Sequence, residues 1–169
     1  MPAEEKKIYA ITTPDFLKIS NDKELSEILE RRWKEVKICI EGEAFLSSIV
    51  MMGGILEGLF LSIVTQYSRE ANKSKCSPKD KRGKVKKFGD WKLSEFINVA
   101  YDLGWIQSDA KDFSSSLRCY RNLIHPYEQR LMAHYPDEDT AKICLQVIQA
   151  TINDLLTHID NINKEVKGN

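Results

Sequence analysis

Between Asp22 and Gly42 the apolar residues Leu25, Leu29, Trp33, Val36 and Ile40 recur every three or four positions, with charges in the gaps. That spacing predicts an amphipathic helix burying one stripe, opened by an Asn21 or Asp22 cap and closed at Gly42. Residues 43–68 predict a second helix of a different kind. The 20 residues from Phe45 to Val64 hold one charge, Glu57. Their length reaches that of a membrane span. A carboxylate near the middle is costly in lipid, however, and three serines and three glycines lower the hydropathy. The amphipathic helices elsewhere need an apolar partner. The expectation is a central helix buried on most sides, with no membrane insertion. Gly54 and Gly58 form a G-x-x-x-G face suited to close backbone approach.

A third helix is predicted from an Asp90 cap to Gly104, with Leu93, Phe96, Ile97, Ala100 and Leu103 inward. A fourth starts at a Ser108 cap and carries Phe113, Leu117 and Tyr120 on one side. Pro126 must end or kink it, because proline has no amide proton and disfavours helical geometry at His125. After a loop at 126–137, a last helix runs from an Asp137 cap to about Asn163, with Ile143, Val147, Ile148, Ile152, Leu155, Leu156, Ile159 and Ile162 as its stripe. No run of alternating strand residues is present. The expected fold is all-α, an antiparallel bundle of about five helices. One domain covers residues 21–165, after a 1–20 extension in which Lys7–Thr12 is a brief strand or simply a strap, and before a 166–169 tail.

Composition adds little: 25 basic and 25 acidic residues cancel over 169 positions. The distribution is uneven. Between Lys73 and Lys87 eight Lys or Arg stand against Asp80 alone, a net +7, which leaves −7 on the remainder. Glycine and proline make this 70–90 segment a loop. Its residues Lys81, Arg82, Lys84, Lys86 and Lys87 are candidates for nucleic-acid contact, or simply a solvated surface. Cys39, Cys76, Cys119 and Cys144 are far apart with no C-x-x-C, which suits reduced thiols in a cytoplasm. The histidines His125, His134 and His158 show no metal-ligand spacing, so neither a metal nor a cofactor is expected. His134 and His158 are expected to be exposed, and Trp33, Trp91 and Trp105 to pack in the core or its rim.

The chemistry concentrates in Leu117–Pro126, LRCYRNLIHP. On a continuous helix Arg118, Arg121 and His125 lie at i, i+3 and i+7 and share a face, with Asn122 at its edge. Two cations and a titratable base aimed at one place suit a phosphate. The structural alternatives are that the arginines pair with Glu57 or the acidic last helix, and that His125 caps a helix end.

The lone Glu57 on a buried helix, the Leu103-Gly104-Trp105 turn and the LRCYRNLIHP segment together resemble the HEPN superfamily over roughly residues 22–160. Members are small α-helical bundles, usually homodimeric, marked by an Arg, four to six residues, then a His. Arg118 has the family's distance to His125, and Arg121 has the polar neighbour, Asn122. Both remain candidates. Glu57 matches the acidic residue many members carry on the preceding helix. Tyr127 matches the end of a His-x-Tyr sequence that some members have modified by a partner nucleotidyltransferase.

The resemblance implies metal-independent RNA cleavage to a 2′,3′-cyclic phosphate and a 5′-hydroxyl. His125 would move the proton, and Arg118 or Arg121, with Asn122, would hold the phosphate. It also implies a homodimer within a toxin–antitoxin, stress or phage-defence setting, with an antitoxin or nucleotidyltransferase partner. The alternatives are a non-catalytic module that binds RNA, nucleotide or protein, and a helical dimerisation scaffold.

Overall fold

The computed structural model describes residues 12–167, so most of the expected strap and the end of the tail lie outside the described residues. The described residues form eight α-helices: α1 Phe16–Ser20, α2 Lys23–Glu41, α3 Phe45–Gln66, α4 Ser68–Lys73, α5 Leu93–Asp102, α6 Ser108–Arg121, α7 Pro126–Met132 and α8 Glu138–Lys167. The five long ones are the five read from periodicity. The fold is all-α, with no strand among the described residues.

Helix α3 is the axis of the bundle, packed against α1, α2, α4, α5, α6 and α8. Its Ile49, Met52, Ile55, Leu56, Leu59, Phe60 and Ile63 are fully buried. By length and composition it is the one described helix able to cross a membrane, and 56% of that apolar window is enclosed by the other helices. Asp22 caps α2, its carboxylate accepting from the Leu25 amide at 3.0 Å. Trp33, Trp91 and Trp105 are all buried.

Several local expectations fail for identifiable reasons. The start of α6 has no serine cap. Gln107 precedes the helix, and its amide donates 2.9 Å to Asp154 on α8, so a remote carboxylate serves the helix end. Helix α5 begins at Leu93 instead of just after Asp90, because Glu95 reaches back to accept from the Lys92 amide at 2.6 Å. The expected 126–137 loop contains α7. Pro126 both ends the preceding geometry and starts the new helix at its first position, where a missing amide proton costs nothing. Phe113 and Ile143 are exposed. Ala110, Ser114 and Leu117 point inward on α6, and buried Ser114 Oγ lies 3.0 Å from Thr151 Oγ1 of α8.

His134 and His158 are half-buried, not exposed: His134 stacks on Tyr120, and His158 lies against Tyr67 and Trp105. The G-x-x-x-G face meets α2 loosely. A Cβ added at Gly58 would lie 3.5 Å from Leu29 Cδ2, an ordinary contact, and one at Gly54 would meet only the mobile end of Arg32.

Candidate anion-binding cleft

Where α6 ends against α3, the start of α5 closes a cleft of about 380 Å³ lined by Glu57, Trp91, Lys92, Leu93, Ser94, Arg118, Arg121 and Asn122. Three cations and one carboxylate share this space. Arg118, Arg121 and Asn122 arrive together because they occupy the last turn of α6 and its end. Lys92, the residue before α5, and Ser94 in its first turn stand at a helix start whose amides carry partial positive charge.

Arg121 has a fitted seat. Gly53 and Glu57 stand at i and i+4 on α3, hence on one face. A Cβ at Gly53 would come within 2.8 Å of Arg121 Cδ and 2.9 Å of Cγ, so the absent side chain is what lets the arginine stem lie across α3. The guanidinium then reaches Glu57, with Nη2 to Oε2 at 3.0 Å. Oε2 is nevertheless without an aligned hydrogen bond, so charge holds the pair more than direction does. Both side chains are about one-third exposed, which leaves the pair open to exchange with another anion.

Arg118 differs. Its Nε is buried and has no hydrogen-bond partner. Nε itself has almost no accessible surface, so an oxyanion meets it only once the side chain turns toward the cleft it lines; the bond then made recovers a cost of about 1–3 kcal/mol or more.

His125 does not line the cleft. Helix α6 stops at Arg121, residues Asn122–Ile124 tighten into a 3-10 turn, and His125 is extended at φ −82°, ψ 111°. The register that would carry its imidazole onto the arginine face is therefore broken. His125 is exposed, at the head of α7, and its side chain caps neither helix. Tyr127, 64% exposed, has the Arg130 guanidinium over its ring.

The cationic 73–87 segment is more ordered than its composition suggests. Lys79 and Val85 form an antiparallel bridge, and Gly83 turns the chain with φ +77°. The Lys86 amide donates to Pro78 O at 2.9 Å, and the Trp91 indole donates to Lys86 O at 3.0 Å. The Lys86 ammonium pairs with Glu95 at 3.1 Å. Burial pushes the Glu95 carboxyl up, but the Lys92 amide and Lys86 outweigh it, and its pKa falls below the ordinary value. Trp91 thus walls the cleft on one side and anchors the hairpin on the other.

Sequence reasoning missed Gly53, Lys92 and Ser94. Gly53 four residues before Glu57 was the available signal; Lys92 and Ser94 enter only through tertiary packing. Among the described residues no three His, Cys, Asp or Glu side chains gather as metal ligands, and all four cysteines are free thiols. No family model, curated protein or solved structure matches the chain.

Proposed function

We propose that this protein is an HEPN-like module that binds the phosphodiester backbone of RNA in the cleft, without a metal ion. The observation that carries the reading is Arg118, whose Nε is buried without a partner in a cleft it shares with Lys92 and Arg121. Arg118 turns its guanidinium toward the cleft, and an RNA phosphate there takes the bond that Nε lacks. The phosphate competes with Glu57 for Arg121 and accepts from Lys92. Asn122, exposed at the rim, orients it.

A second reading, cleavage of the bound RNA, is favoured by the exposure of His125. In this reading two copies pair through the apolar face of α7 and its flanks, where Ile124, Tyr127, Leu131 and Met132 are all more than half exposed. Pairing brings the imidazole of one copy to the phosphate held by the other, where it takes the 2′-hydroxyl proton; the 2′-oxygen bonds to phosphorus, the P–O5′ bond breaks, and the leaving 5′-oxygen takes a proton from water. The exposed Tyr127 is open to nucleotide transfer by a partner enzyme in a toxin–antitoxin or defence setting, and the free thiols suit the cytoplasm.

The test is fluorescence anisotropy with a labelled single-stranded RNA in the presence of chelator, followed by a denaturing gel of the same samples. Wild type binds. Arg118→Gln weakens binding by about tenfold or more, the worth of one charge-assisted hydrogen bond. His125→Ala still binds but no longer yields cyclic-phosphate ends. Equal RNA binding by wild type and Arg118→Gln removes the binding reading. Intact RNA with the dimeric wild type removes the second.

A further inference from the structure

Six of the eight cations between Lys73 and Lys87 make no ion pair with another described residue: Lys73, Lys79, Lys81, Arg82, Lys84 and Lys87, all exposed. Lys75 pairs with Asp102 and Lys86 with Glu95. The segment's one acid does not neutralise the rest. Asp80 turns its carboxylate inward, where Oδ1 accepts from the Arg82 amide at 2.8 Å and the Lys84 amide at 3.0 Å. The Asp80 amide donates to Lys84 O at 2.8 Å, and the Gly83 amide to Asp80 O at 3.0 Å. The tip is a closed turn that presents Lys81, Arg82 and Lys84 outward. An unbound solvated loop has no need of this order. A surface that collects a polyanion gains from it, because less chain entropy is lost on binding.

We infer that this hairpin is a second contact region for the strand seated in the cleft, so that the ligand is a single-stranded polynucleotide spanning both and not a mononucleotide. The inference rests on the cleft reading for one end of the strand; the hairpin supplies the other. The two are continuous in the chain. The second arm of the hairpin runs through Lys86 and Lys87 and the 3-10 turn Phe88–Asp90 into Trp91 and Lys92 at the cleft wall.

The composition of the tip selects among polyanions. Residues 79–84 carry no apolar side chain, whereas a protein partner needs a buried apolar or aromatic anchor. A flat anionic membrane cannot enter the cleft. A phosphate backbone needs only regularly placed cations, and the Trp91 indole is buried, so the contact is to phosphate and not base stacking.

The experiment compares a 20-nucleotide single-stranded RNA with a trinucleotide by anisotropy over a range of salt. The proteins are wild type, the triple variant Lys81→Ser/Arg82→Ser/Lys84→Ser, and Arg118→Gln, each checked for an unchanged melting temperature. The triple variant should lose at least tenfold in affinity for the 20-mer. Its slope of log K against log salt should fall by about 2, near 0.7 for each phosphate no longer neutralised. Its trinucleotide affinity should stay within twofold, while Arg118→Gln weakens both ligands. A triple variant that binds the 20-mer as wild type does, with Arg118→Gln still impaired, overturns the hairpin proposal and leaves the cleft. Weaker binding in the triple variant alone overturns the cleft reading and, with it, the spanning strand. Capture of wild type by vesicles containing phosphatidylserine, with no RNA binding, overturns both.

Discussion

Two faces of α3 use glycine differently. Toward α2, Gly54 and Gly58 follow the spacing known for close helix packing, yet neither needs to be glycine, because an added methyl meets ordinary contacts or a mobile guanidinium. Toward α6, Gly53 belongs to no motif, and here a methyl would strike the stem of Arg121. One face is packing with slack. The other is a seat for a cation. Where the missing Cβ matters is set by what lies across from it, not by the spacing of the glycines.

The largest effect expected from breaking the comparison lies on the packing side. Leu29 is buried beside Gly58, and Leu29→Ala should destabilise by about 3 kcal/mol in denaturant unfolding, without changing RNA affinity per folded molecule. Arg121→Ala should do the reverse: about tenfold weaker RNA binding, with stability within about 1 kcal/mol, since its pair with Glu57 is one-third exposed and screened. Gly53→Ala should weaken binding several-fold by displacing the Arg121 stem, whereas Gly58→Ala should leave binding alone and stabilise by about 0.5 kcal/mol through helix propensity. Glu57→Gln should tighten binding a few-fold, because Arg121 is freed from its internal competitor; weaker binding would mean that Glu57 positions Arg121 and does not compete for it.

The smallest effect concerns pH and neither face. Burial against Tyr67 and Trp105 lowers the His158 pKa below its ordinary value, with Glu165 opposing weakly. A group depressed on folding contributes stability that is present above about pH 6.5 and is lost as the pH falls through its folded value. His158→Gln should flatten that decline in a series of melts between pH 7.5 and 5.

The long helices were legible because a 3.6-residue apolar period is written locally. In α2, Leu29, Trp33 and Val36 are buried as the stripe requires. What the sequence hid was either short or remote. Helix α7 is only seven residues, inside a stretch read as loop on the strength of Pro126. The carboxylate that holds the Gln107 amide at the start of α6 is Asp154, 47 residues away, a distance that no local pattern encodes. The site was half legible. Arg118, Arg121, Asn122 and Glu57 meet in one cleft, and an Arg–Glu57 pair was among the structural alternatives. His125 does not join them, although Pro126 already marked the place where the helical register would break. Lys92 and Ser94 lie on an ordinary helix start, and only the approach of α6 gives them a cleft to face.

The most direct measurement is a 15N NMR titration of the Arg118 and Arg121 Nε–H resonances with single-stranded RNA, assigned by the single substitutions. Saturable shifts of both, the larger at Arg118 where a buried donor gains its first partner, are the predicted result. An Arg118 resonance that stays still while the hairpin lysines or His125 respond would contradict the account.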